Sequence, residues 1–285
     1  MILGGIEAGG TKFVCALGDE HGNVLKEVRF PTAAPEPTLA NAVAFFEQTE
    51  QEFGKMSALG IGTFGPAGIN KDLDNYGKIL ATPKAGWEGA DFLGAFSQWN
   101  IPKAFDTDVN AAALGEGLKG AAIGLKNFVY ITIGTGIGGG VVINGLPLSG
   151  YLHPEIGHIS IRQSDDFEGV CPFHKNCVEG MASGTAIEAR WGKPAQELAP
   201  DHPAWELEAT YLASLCKTLT AVLSPQRIIL GGGVMGQDHL LPMIQAKFDD
   251  LCASYWQTPD DYLVTPKLGN QAGIVGALRL AQQAL

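Results

Sequence analysis

The strongest constraint on the fold of this chain is a pattern that occurs twice. Near the start, "GIEAGGTKFVCAL" (5–17) carries an acid and a bare glycine turn, Gly9-Gly10-Thr11-Lys12, between two short apolar stretches. In the middle, "NFVYITIGTGIGGGVVINGLPL" (127–148) again reads strand, glycine turn, strand, with Asn144-Gly145 as a hairpin signal. Glycine in such places weakens a strand and buries nothing, so each turn marks a point where something must approach the backbone closely. Both units are followed by mixed material. After the first come a helix in "PTLANAVAFFEQTEQEF", a buried strand in "ALGIGTFGP" and an alanine-rich helix beginning near Asp108. After the second come a long helix around Glu206–Leu223, the strand "RIILGGGV" and a closing helix "AGIVGALRLAQQAL". The expectation is an α/β chain of two related lobes with a cleft between them.

The remaining bulk properties narrow the class. A chain of 285 residues with 46% hydrophobic and 17% charged residues can bury a large core. Its 38 glycines are about twice the usual share and cluster at the strand turns. A net charge of −11 with no Lys/Arg run argues against a nucleic-acid partner, which needs clustered cations. No apolar run reaches the ~18 residues of a membrane span, and "MILGGIEAGG" has no basic leader, so no membrane or export role is expected. With five cysteines, a reduced cytoplasmic protein is the simplest reading.

"GTGIGGG" fits the dinucleotide spacing Gly-x-Gly-x-x-Gly, yet it leads into a strand where that motif requires a helix. The protein-kinase glycine loop also fits, but no His-Arg-Asp or Asp-Phe-Gly follows, and no Gly-Lys-Ser/Thr loop exists. Either turn alone could be a tight hairpin. Two of them, carrying Thr11 and Thr135 and accompanied by Glu7, favour phosphate binding through N–H and hydroxyl donors.

Asp108 in "FDTDVNAAALGE" can be a helix cap, a duty that Asp106 or Thr107 could share, or a general base for a substrate hydroxyl. "CPFHKNC" places Cys171, His174 and Cys177 within seven residues, and His158, with His153 second, is the candidate for the fourth ligand of a closed, structural zinc site. A Cys171–Cys177 disulfide is the alternative, disfavoured by the compartment. A metal there would draw Glu155 and Glu179 together, and paired acids suit a polyol. Cys15, Cys216 and Cys252 lie among apolar neighbours and read as inert buried thiols.

Taken in order, "EAGGTK", "DVNAAALGE", "GTGIGGG", "HPEIGH", "CPFHKNCVEG", "ILGGGV" and "GNQAGIVGALRLA" resemble the ROK family of sugar kinases and repressors, end to end. The resemblance implies a two-lobed actin-like, ribonuclease H-like ATPase fold, with residues 1–116 and the closing helix 272–285 in one lobe and 117–271, carrying the zinc loop, in the other. It implies transfer of the γ-phosphate of ATP, with Mg²⁺, to a hexose hydroxyl. Asp108 matches the catalytic base. Gly9, Gly10, Thr11 and Lys12, Gly134, Thr135 and Gly136, and Gly231, Gly232 and Gly233 match the ATP and phosphate segments, and Glu7 the magnesium region. Thr107, Glu155, His158 and Glu179 match the sugar side, and His158, Cys171, His174 and Cys177 the zinc. A homodimer is implied by the resemblance alone.

Three departures are visible: Glu7 where the family usually has Asp, Thr107 where Asn is frequent, and "CPFHKNC" in place of the commoner cysteine-glycine zinc motif. With "TPKAGW" (82–87), they resemble the bacterial fructokinase branch. The expected reaction is D-fructose to D-fructose 6-phosphate. The alternatives are a mannose or glucose kinase or, from another class, a non-catalytic sugar sensor or regulator.

Overall fold

The computed structural model describes residues 1–163 and 165–285. In chain order the elements are β1 (Leu3–Ala8), β2 (Lys12–Gly18), β3 (Val24–Pro31), α1 (Pro35–Phe53), β4 (Ala58–Thr63), α2 (Phe92–Ala95), β5 (Lys103–Thr107) and α3 (Asp108–Lys119). The second half has β6 (Phe128–Ile133), β7 (Ile137–Ile143), β8 (Leu146–Pro147), α4 (Val178–Ala182), α5 (Gly184–Trp191), α6 (Ala204–Leu223), β9 (Arg227–Gly231), α7 (Leu240–Cys252), β10 (Leu263–Val264) and α8 (Ala272–Gln283). Contacts divide the chain into two compact units. One comprises Met1–Lys126, Gly140–Pro154 and Lys267–Leu285; the other comprises Asn127–Gly139 and Glu155–Pro266.

The repeat read from the glycine turns is a repeat of topology. The first sheet has the order β3-β2-β1-β4-β5 and the second β10-β9-β6-β7-β8. Counting strands within each half, both follow the order 3-2-1-4-5 or its reverse. In the first sheet β1, β2 and β3 form the expected antiparallel meander, while β1, β4 and β5 run parallel. Every residue of β4 is buried, as a parallel strand covered on both faces requires. Phe13, Phe46, Trp87, Phe92 and Phe96 fill the core on one side of this sheet. On the other side α8 packs so closely that a side chain at Gly60 would strike the Ala277 carbonyl, and one at Gly276 would strike the Ala111 carbonyl of α3.

The parallel pairing matters for function because it aligns strand ends. Ala8 lies opposite Thr63, and Thr63 opposite Thr107, so β1, β4 and β5 finish at one edge, with the first glycine turn and the start of α3 just beyond it. In the second unit Thr132 pairs with Gly231, so the turn after β6 and the glycines after β9 share an edge. The carboxyl ends of parallel strands are where α/β sheets place ligands.

Candidate active site and metal centre

Asp108 is the first residue of α3, and the capping duty falls to its neighbour. Thr107 is extended, and its hydroxyl accepts the Asn110 N–H at 3.2 Å. Asp106, buried beneath, accepts from Thr107 N–H at 2.7 Å and Asn110 Nδ2 at 2.6 Å. Burial raises the Asp106 pKa, and the bond from Asn110 opposes the rise. Asp108 is thereby relieved of capping; one of its oxygens accepts the adjacent Val109 N–H at 2.8 Å. The buried Thr107 hydroxyl gives one acceptor lone pair to the cap.

In the first glycine turn every carbonyl is tied to a donor. Thr32 covers two of them, its hydroxyl reaching Gly9 O at 2.7 Å and its N–H reaching Thr11 O at 2.9 Å. Lys84 Nζ reaches Gly10 O at 2.5 Å. Gly9 N–H closes the turn on Lys12 O at 2.9 Å. The second turn is treated alike. Gly184 N–H reaches Gly134 O at 2.7 Å, the Thr185 hydroxyl reaches Thr135 O at 2.8 Å, and Gly134 N–H reaches Gly136 O at 2.9 Å. An anion is repelled by free carbonyl oxygens and attracted by N–H groups, so turns with their carbonyls engaged by donors suit phosphate. Gly232 has a φ of +93°, and a side chain there would strike Ile133, which puts Gly231–Gly233 against the second turn.

Glu7 is the next-to-last residue of β1, with its carboxylate packed on Gly273 of α8, and its Oε2 is buried with no hydrogen-bond partner among the described residues. Burial raises its pKa; Lys12 pulls it down. An orphaned buried carboxylate oxygen beside a phosphate turn fits a cation or its bound water, which is the chemistry that Mg²⁺ accompanying a nucleotide would bring.

The cysteine–histidine cluster forms as expected. The candidate ligand atoms of His158, Cys171, His174 and Cys177 all lie within 4.8 Å of one another. Cys171 Sγ is 3.8 Å from His158 Nδ1 and 3.7 Å from His174 Nδ1, and Cys177 Sγ is 3.6 Å from His158 Nδ1. A tetrahedral zinc with Zn–S of about 2.3 Å and Zn–N of about 2.05 Å requires sulfur–nitrogen edges of about 3.6 Å. The residues therefore fit zinc. All five cysteines are free, which removes the disulfide alternative. Burial pushes the Cys177 thiol up to about 11 and the Cys216 thiol to about 12, and it raises Cys15 and Cys252 as well. The last three are buried and join no group of metal-ligating side chains among the described residues.

Two elements carry the cluster toward the second turn. The segment Glu155–His158 packs on it through Gly157, where a side chain would strike the Ile137 carbonyl. Glu179, on α4, accepts the Ile137 N–H at 3.0 Å. Both acid-bearing segments thus converge on Ile137. Glu179 also supports the turn, since one carboxylate oxygen is given to its backbone. Thr32, Lys84, Gly184, Thr185 and Gly273 escaped the sequence reading. Lys84 was in plain view within "TPKAGW", but its partner lies 74 residues away.

The ROK family profile matches residues 3–284. A putative fructokinase of Bacillus subtilis (strain 168) is 48% identical over 293 aligned positions, covering 100% of this chain and 96% of that one. A fructokinase of Pediococcus pentosaceus is 45% identical, covering 100% and 99%. Among solved structures, a ROK family glucokinase from Streptomyces griseus, in complex with glucose and AMPPNP, superposes with a TM-score of 0.77 at 26% identity, covering 99% of this chain and 100% of that one.

Proposed function

The chain belongs to the ROK family, and from that premise we infer that it is a fructokinase, transferring the γ-phosphate of ATP to the 6-hydroxyl of D-fructose. Identity of 45–48% to fructokinases, against 26% to the glucokinase, supports the sugar. The observation that carries the chemistry is the placement of Asp108, at the start of α3 just past the carboxyl edge of β5, with the helix cap made by Thr107.

The reaction needs a base, donors for phosphate oxygens and an oriented sugar. Asp108 takes the proton from the attacking hydroxyl. The turns Gly9–Lys12 and Gly134–Gly136 offer N–H and hydroxyl groups to phosphate oxygens, and Gly231–Gly233 hold the nucleoside end. Mg²⁺ bound with ATP would neutralise charge on the β- and γ-phosphates, and Glu7 is the residue that would hold its water shell. Glu155, His158 and Glu179 orient the sugar. Four protein ligands leave zinc no open position, so its role is to fix the 155–158 and 171–179 segments. The reading also includes a cytoplasmic location and a homodimer. No helix among the described residues is long and apolar enough to cross a membrane.

The test is turnover of the purified protein with ATP, Mg²⁺ and fructose, alongside Asp108→Asn. The variant is expected to lose roughly 10²–10⁴-fold in kcat with sugar binding kept. Near-normal turnover would remove Asp108 from the role.

A further inference from the structure

We propose that Lys84 is a further catalytic residue, whose ammonium group holds the transferred phosphoryl group. This rests on the kinase reading above. Seven carbonyls belong to the two glycine turns, and six are covered by neutral donors. Gly10 alone receives a cation, from Lys84 Nζ at 2.5 Å. An ammonium has three N–H donors, and one serves Gly10, so two remain for oxygens of a phosphate seated on the turn. A single bond from a partly exposed lysine to a neutral carbonyl contributes little stability, so holding the turn is a poor explanation for a charge at this position.

The lysine is also presented rigidly. Its own N–H donates to the Thr82 hydroxyl at 3.3 Å, and its carbonyl accepts the Trp87 N–H at 3.2 Å. Trp87 is fully buried, its Nε1 donates to Ala33 O at 2.9 Å, and its ring lies 5.6 Å from that of Phe13 on β2. The segment 82–87 is thereby fixed to the strand that leads out of the first turn. A cation held this way is preorganised for charge that develops during reaction, which is where electrostatic contacts accelerate most.

In the step, the sugar 6-oxygen bonds to the γ-phosphorus while the bond from that phosphorus to the β,γ-bridging oxygen breaks, and its electron pair leaves with ADP. The hydroxyl proton passes to Asp108. Lys84 stays protonated throughout, and its charge offsets that spread over the equatorial oxygens of the moving group.

The experiment uses Lys84→Met and Lys84→Arg in the full chain, with Lys71→Met as an exposed-lysine control. It measures kcat with fructose and, by calorimetry, the affinities for ADP and for a non-hydrolysable ATP analogue. Lys84→Met should lower kcat roughly 10²-fold or more and weaken the analogue about tenfold with ADP unchanged. Lys84→Arg should restore part of both, and Lys71→Met should match the parent. An unchanged analogue-to-ADP ratio, or activity lost only in step with melting temperature, would overturn the proposal. If the parent protein phosphorylates no hexose, the kinase reading fails while the affinity ratio still decides whether Lys84 meets the terminal phosphate.

Discussion

Gly273→Ala tests whether the placement of Glu7 matters to the reaction. An added Cβ at this position would lie 2.5 Å from Glu7 Cδ and 2.8 Å from both Cγ and Oε2. Carbon atoms sit comfortably at about 3.5–4.0 Å, so the carboxylate must retreat by about 1 Å. A displacement of that size at a reacting group costs on the order of 10²-fold in rate. The effect on stability should be small, because two terms oppose each other. Alanine is favoured over glycine in a helix by about 1 kcal/mol, and overpacking costs about 1–3 kcal/mol. The variant should therefore fold, melt within several degrees of the parent, and show a kcat reduced roughly 10²-fold together with a higher Mg²⁺ requirement. Urea denaturation and a Mg²⁺ titration of initial rates read both. Parent-like kcat and Mg²⁺ dependence in a folded variant would refute the argument, since the clash leaves Glu7 no way to keep its position.

Two further outcomes are expected. Cys171→Ser removes a sulfur that lies 3.8 and 3.7 Å from two imidazole nitrogens, so zinc content should fall below stoichiometric and the KM for sugar should rise with it; metal loss at unchanged KM would sever the loop from the sugar side chains. Glu208 is fully buried, and burial raises its pKa well above 4.5 although Arg190 opposes the rise. The native state then holds a proton that the unfolded state releases, so stability is full below about 4.5 and falls as pH rises toward the raised value, by up to about 1.4 kcal/mol per pH unit. Glu208→Gln should flatten that fall in urea titrations run upward from about pH 4.5, and parallel profiles for parent and variant would show that the carboxyl does not carry the dependence.

The fold was legible because its signals are local and periodic. Gly9–Thr11 and Gly134–Gly136 mark the strand turns directly, and the apolar spacing of Leu39, Phe46 and Phe53 marks α1. The cysteine–histidine cluster was legible for a similar reason, since Cys171, His174 and Cys177 fall within one loop. Less visible was the division of labour around Asp108. Asp106, Thr107 and Asp108 are all plausible caps by composition, and only the geometry gives the duty to Thr107. Least visible were the groups that engage the carbonyls of the two turns. Thr32, Lys84 and Thr185 act across 23, 74 and 50 residues, and side-chain bonds of that range depend on packing that no periodic pattern records. The buried Glu208 of α6, whose charged form Arg190 of α5 favours, was missed for the same reason.

The most direct measurement is a coupled ADP-release assay on the purified protein, with ATP and Mg²⁺, comparing fructose, mannose and glucose at equal concentrations. Selective turnover of fructose, with the phosphate recovered on its 6-oxygen, is the predicted result. Turnover with glucose or mannose in preference to fructose would contradict the substrate assignment, and no turnover with any of the three would contradict the account of Asp108 and the two glycine turns as kinase machinery.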